Sequence, residues 1–86
     1  MYEIVLTRDA RTAYERADVV LVRKLDRCFE NLSGSPFSHP NIKRLTGALQ
    51  GHWRYRVGDW RVVYRLDEDR KYVLVVLIAH RGRAYL

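Results

Sequence analysis

The stretch Trp53-Arg54-Tyr55-Arg56-Val57-Gly58-Asp59-Trp60-Arg61-Val62-Val63-Tyr64-Arg65 carries the decisive pattern of this 86-residue chain. Arginines alternate with large apolar residues on both sides of Gly58-Asp59, the period of two expected of strands with one buried face. Gly-Asp between two such runs suits a two-residue hairpin turn, with glycine first as a type II′ turn prefers. That turn sets the register, placing Arg56 opposite Arg61 and Arg54 opposite Val63. Arg54, Arg56, Arg61 and Arg65 then share one face of a sheet. Tyr55, Val57, Trp60, Val62, Tyr64 and Leu66 share the other, which helices would cover. Trp53 is expected on the arginine side, more open than Trp60. Like charges directly opposed on a sheet cost a few tenths to about 1 kcal/mol. A domain this small has little stability to spare, so Arg56 against Arg61 asks for a carboxylate or a bound anion. The nearby acids are few: Asp59 sits in the turn, and Asp67, Glu68 and Asp69 lie at the far end of the hairpin. An anion site on the arginine face is therefore expected.

Working outward, Tyr72 to Ala79 reads as a third strand after a polar turn at 67–71. If Arg65 pairs near Val73, Arg81 projects from the face of Arg61 and His80 points the other way. Upstream, Tyr2 to Thr7 reads as a short strand, with Thr7 capping a helix over Arg8 to Arg16. Asp18 caps a second helix from Val19 to about Ser33, in which Val22, Leu25, Phe29 and Leu32 recur at helical spacing. Gly34 fits the C′ position, and Ser35-Pro36 prevents continuation. Residues 35–51, with Pro36, Pro40, Gly47 and Gly51, read as a loop-rich connection. The expected fold is one α+β domain over 1–86, ordered β-α-α-β-β-β, with two N-terminal helices on one face of a small, mostly antiparallel sheet.

Composition narrows the function. The net charge of +6 comes from 16 Lys+Arg against 10 Asp+Glu, and its location matters more than its size. Residues 1–34 hold six basic and six acidic side chains, whereas residues 35–86 hold ten and four, so the whole excess lies in the second part. Thirteen of the basic residues are Arg, the side chain suited to planar, bidentate contacts with phosphate. A polyanionic partner, above all nucleic acid, is indicated. No apolar run reaches the ~20 residues of a membrane-spanning helix. The N-terminus lacks the basic and apolar regions of a signal peptide. Cys28 alone makes no internal disulfide, favours a reducing compartment, and lies at the edge of the apolar helix stripe, where a buried thiol is expected. His39, His52, His80 and Cys28 are too scattered for a metal site, and no cofactor is expected. His39 and His52 read as ordinary loop residues.

Several arginines around one phosphate suit RNA cleavage by the RNA's own 2′-hydroxyl. That reaction needs in-line alignment, neutralisation of a phosphorane, and acid–base help. Arginine supplies the neutralisation but not the base, because it stays protonated. The base would be Tyr85, as a tyrosinate stabilised by guanidiniums, or His80.

His39-Pro-Asn-Ile-Lys-Arg-Leu-Thr-Gly47, the central hairpin, and His80-Arg-Gly-Arg-Ala-Tyr85 together resemble the RelE branch of the RelE/ParE toxin superfamily. The likeness covers nearly the whole chain. It implies the toxin of a type II toxin–antitoxin pair: a cytoplasmic, metal-independent endoribonuclease that cuts mRNA codons in the ribosomal A site and is inhibited by a RelB-like antitoxin. It implies Arg54, Arg56, Arg61, Arg81 and Tyr85 around the scissile phosphate. Lys43, Arg44, Arg65 and Arg83 would contact RNA, and His80 remains a candidate acid or base. Two departures stand out. The best-known RelE toxins carry Lys where this chain has Arg54 and Arg56, which removes a route for proton transfer. The sequence also ends at Leu86, without the C-terminal helix that many relatives carry. The alternative is a ParE-like DNA gyrase inhibitor without nuclease activity.

Overall fold

The computed structural model describes residues 1–81; the expectations for Arg83 and Tyr85 fall outside them. Its elements are β1 (Glu3–Leu6), α1 (Arg8–Arg16), α2 (Val19–Gly34), β2 (Ile42–Arg44), β3 (Trp53–Val57), β4 (Trp60–Asp67) and β5 (Tyr72–His80), with a 3-10 turn at Gly47–Leu49. The strands form one sheet in the order β1-β5-β4-β3-β2, antiparallel except where β1 runs parallel to β5. Leu21, Leu25, Cys28 and Leu32 of α2 and Ala10 of α1 bury against Tyr55, Val57, Val62, Tyr64, Val73, Val75 and Ile78. The architecture is the expected α+β fold. No helix among the described residues is long and apolar enough to cross a membrane.

The helices start where their caps dictate. Thr7 Oγ1 accepts from the Ala10 amide and Asp18 Oδ1 from the Leu21 amide, satisfying donors that a helix start leaves free. Gly34 does not take the expected C′ role. It is the last helical residue, and the chain leaves through Ser35 (φ −153°, ψ 87°), because a residue before proline is pushed out of the helical region. A hydrogen bond of 2.6 Å from the Tyr14 hydroxyl to Asp26 ties α1 to α2 and holds the Tyr14 phenol above its ordinary pKa. Cys28 is buried, and that burial pushes its thiol up as well, which leaves it inert.

Two features of the sheet depart from expectation. Part of the 35–51 connection is the edge strand β2, which pairs Ile42 with Tyr55, Lys43 with Arg54 and Arg44 with Trp53. In addition, β5 is irregular: Val63 faces Leu77 but Tyr64 faces Val75, so Val76 is an extra, bulged residue. Arg65 accordingly pairs with Leu74. Thr7 holds the bulge in place, its amide donating to Val75 O (3.0 Å) and its hydroxyl to Val76 O (3.3 Å).

Tyr64 is fully buried, with its hydroxyl donating to Pro36 O at 2.8 Å. Tyr64→Phe leaves that buried carbonyl unpaired, a cost of about 1–3 kcal/mol. The expected result is a urea midpoint lowered accordingly with an unchanged slope.

Candidate functional site

The hairpin has the expected register, with Arg56 opposite Arg61 and Arg54 opposite Val63. Within the turn only Gly58 has positive φ (58°), as the first position of a type II′ turn requires. The Val57–Trp60 pair next to such a turn exchanges backbone bonds, so Arg56–Arg61 is the non-bonded kind, in which opposed side chains stand closest. The backbone itself thus sets the two arginine stems side by side.

The arginines do not form one cluster; the fold sorts them. Arg54 and Arg61, joined by Lys43 from β2, line a groove of about 440 Å³ whose walls include Arg44, Leu45 and Leu49. Among the described residues, no acidic side chain lines it. Arg61 is half-buried, and its Nη1 has no hydrogen-bond partner among the described residues. A desolvated guanidinium nitrogen left in this state costs free energy that an anion would recover. Val63, also on the arginine side, is only 1% exposed.

Arg56 borders a different groove, of about 420 Å³, on the helix side of the β3 edge. There Arg23, Lys24 and Arg27 of α2 stand around a floor of Val20, Tyr55 and Val57. Arg56 Nε also donates to Gly58 O at 3.4 Å. Arg65 lies apart, in a depression with Asp67, Glu68 and Asp69. Arg44 places its guanidinium 5.2 Å from the Trp53 ring centroid.

Trp53 is a correction. It does not sit on the arginine side, but pairs with Tyr64 and packs against the core beside Phe37, ring centroids 5.7 Å apart. Its odd number already placed it with Tyr55 and Val57, one pleat from Arg54.

The β5 bulge sets the phase in which the chain leaves the last strand. Ala79 faces Arg61 and His80 faces Trp60, so parity carries Arg81 to the arginine side. His80 packs on Trp60, rings 5.5 Å apart and near perpendicular, and does not line the Arg54–Arg61 groove. The Arg81 amide donates to Asp59 O (2.6 Å). Its guanidinium stands 3.9 Å from the Asp59 carboxylate, with side chains 61% and 65% exposed. Such an exposed pair is weak, and a phosphate would compete for Arg81 on favourable terms. Among the described residues, no three His, Cys, Asp or Glu side chains come together as metal ligands.

Two residues at the rim, Asn41 and His39, carry no signal of a role in the sequence beyond His39-Pro-Asn, a turn pattern with proline in its favoured position. The Arg54 guanidinium donates to Asn41 O at 2.9 Å, and the Asn41 amide donates to His39 Nδ1 at 3.1 Å. His39 is thus more than an ordinary loop residue.

Comparison with known proteins bears on the fold and the family. The sequence pattern of the family described as the ParE toxin of the type II toxin–antitoxin system, parDE, matches residues 4–85. No curated protein sequence matches. Among solved structures, a YoeB/ParE toxin from Agrobacterium tumefaciens superposes with a TM-score of 0.83 at 25% identity, over 92% of this chain and 98% of the other. The RelBE toxin–antitoxin complex from Mycobacterium tuberculosis matches with a TM-score of 0.81 at 25% identity, over 93% and 98%. An archaeal RelE–RelB complex from Pyrococcus horikoshii shares the fold, with a TM-score of 0.81 at 23% identity over 96% and 98%.

Proposed function

The chain belongs to the ParE toxin family of type II toxin–antitoxin systems, within the RelE/ParE superfamily, and on that premise we propose that it is a metal-independent endoribonuclease acting on ribosome-bound mRNA. One observation supports this reading above the others. Lys43, Arg54 and Arg61 line one groove without an acid, and a buried Arg61 nitrogen has no partner among the described residues. In the proposed reaction the 2′-hydroxyl of the RNA gives up its proton and attacks the adjacent phosphate in line, a dianionic phosphorane forms, and the P–O5′ bond then breaks, leaving a 2′,3′-cyclic phosphate and a 5′-oxygen that takes up a proton. Arg54 and Arg61 neutralise the growing charge in a partly dehydrated site, where charged hydrogen bonds are strongest. Lys43 is a third positive charge in the groove, and Arg81 exchanges Asp59 for phosphate. The base is assigned to Tyr85, since the His80 ring packs on Trp60. Lys43, Arg44, Arg65 and Arg83 would follow the RNA backbone without reading its sequence. The site of action is the cytoplasm.

The inhibitory partner is a RelB-like antitoxin. The second groove, with Arg23, Lys24, Arg27 and Arg56 around an apolar floor, complements an acidic amphipathic segment that orders on binding.

Expression without antitoxin is the test. The expected result is arrested translation, with mRNA cut inside ribosome-bound codons. Arrested growth with intact mRNA would overturn the nuclease. The match to the ParE pattern favours a second reading, inhibition of DNA gyrase without cutting RNA, and a supercoiling assay with purified protein separates the two.

A further inference from the structure

The short strand β2 ends abruptly, and how it ends bears on the arginines. His39-Pro40-Asn41-Ile42 is a reverse turn closed by the Ile42 amide donating to His39 O at 2.9 Å, with Pro40 presetting the backbone. The next antiparallel pair along β2 and β3 would be Asn41 with Arg56. Arg56 is free for it, because in a non-bonded pair with Arg61 its N–H and C=O point away from β4.

A complete pair exchanges two backbone bonds, and here one of them is replaced. The Arg56 amide donates to Asn41 O at 3.0 Å. The return bond to Arg56 O comes from the Asn41 side chain, Nδ2 donating at 3.0 Å. The Asn41 backbone amide is occupied elsewhere, donating to His39 Nδ1 at 3.1 Å. That bond requires an unprotonated Nδ1, so the neutral ring carries its proton on Nε2, 3.4 Å from the Tyr55 hydroxyl. The hydroxyl in turn accepts from Asn31 Nδ2 of α2 at 2.9 Å, and the His39 ring stacks on that of Tyr55 with centroids 4.9 Å apart. Asn41 O accepts a second time, from the Arg54 guanidinium at 2.9 Å. One residue therefore holds the Arg56 backbone from both sides and the Arg54 side chain, and is itself tied to helix α2 through His39 and Tyr55.

We propose that Asn41 is a positioning residue for the basic groove: its side-chain amide stands in for a backbone N–H, completes the last rung of the sheet by holding the Arg56 backbone, and so fixes the end of β3 from which Arg54 reaches the RNA backbone. A turn asparagine chosen only for its backbone preference would not need that amide. Serine, aspartate or glycine would make the turn as well, but none reaches across with an N–H. The role deepens the nuclease reading, and its test is built to separate the two.

Amide hydrogen exchange is followed in wild type and Asn41→Ala. Affinity is measured for a labelled single-stranded RNA of about a dozen nucleotides, the length such grooves track. The same measurement is made in Arg54→Ala/Arg56→Ala, with and without Asn41→Ala. Asn41→Ala is expected to speed exchange of the Arg56 amide about tenfold and to weaken RNA about fivefold to tenfold, as for one lost hydrogen bond. It should have no further effect once the arginines are gone. Wild-type exchange and affinity in Asn41→Ala would overturn the role, and so would an equal loss in the background without the arginines. A wild-type chain with no affinity for RNA would instead overturn the nuclease reading, and the Arg56 amide would then decide the role of Asn41.

Discussion

Arg61→Met is expected to lower RNA cleavage on ribosomes about 100- to 1,000-fold, the usual loss when one preorganised charge donor is removed from a transition-state site. Methionine keeps an unbranched stem and removes the guanidinium. The fold should survive and even gain, because the variant removes a buried guanidinium nitrogen that has no hydrogen-bond partner among the described residues. Activity and stability should move in opposite directions, the mark of a residue kept for function at the expense of stability. Arg61→Lys restores the charge but not the planar fork and should recover activity only in part. The decisive comparison sets cleavage rate against thermal midpoint for both variants. If Arg61→Met melted well below wild type and cut normally, Arg61 would be a structural residue.

The second large effect lies in the core. Leu25 has no exposed surface and is central among the buried α2 residues that hold the helices on the sheet. Leu25→Ala is expected to cost about 2–5 kcal/mol, combining lost burial with the cavity left behind. At about 4–8 °C per kcal/mol for a domain of this size, the midpoint should fall by at least about 8 °C. Much of the stability expected of so small a domain would be gone. Val20, 57% exposed on the same helix, offers the control: Val20→Ala should change stability little. Calorimetry on the pair checks the contrast, and equal losses would mean that α2 docks differently from the arrangement described.

The part of this structure that local rules control was open to reading. Gly58-Asp59 imposes a pairing that a period of two converts into faces, and the opposition of Arg56 and Arg61 came from the turn alone. The caps at Thr7 and Asp18 are equally local. What escaped depended on partners distant in sequence. Ile42-Lys43-Arg44 is too short to show alternation and becomes a strand only because β3 offers it an edge. The position of β1 beside β5 closes contacts across most of the chain. Trp53 is a different kind of miss, since the parity rule that placed the arginines also placed it, and exposure was assumed where the pleat required burial. At the site, the sequence indicated which residues carry charge but not how they divide. Arg56 turns to the α2 groove and Arg65 to the acidic turn, because side chains near a sheet edge follow the local backbone and neighbouring charges rather than parity alone.

The bulge at Val76 bears on how related chains are compared. A relative one residue shorter in its last strand, with no bulge, would pair straight through and present the same ending in the same phase, because the bulge absorbs one residue without changing the pairing beyond it. A strand of this length that paired without the bulge would instead set Val76 opposite Val63, turning His80 toward the groove and Arg81 away from it. Correspondence between tails in this family is therefore a matter of phase, counted from the rung where the Thr7 equivalent grips the strand rather than from the shared letters. A chain of the same length that had lost the bulge would have exchanged an arginine for an imidazole at its arginine face without a single substitution there.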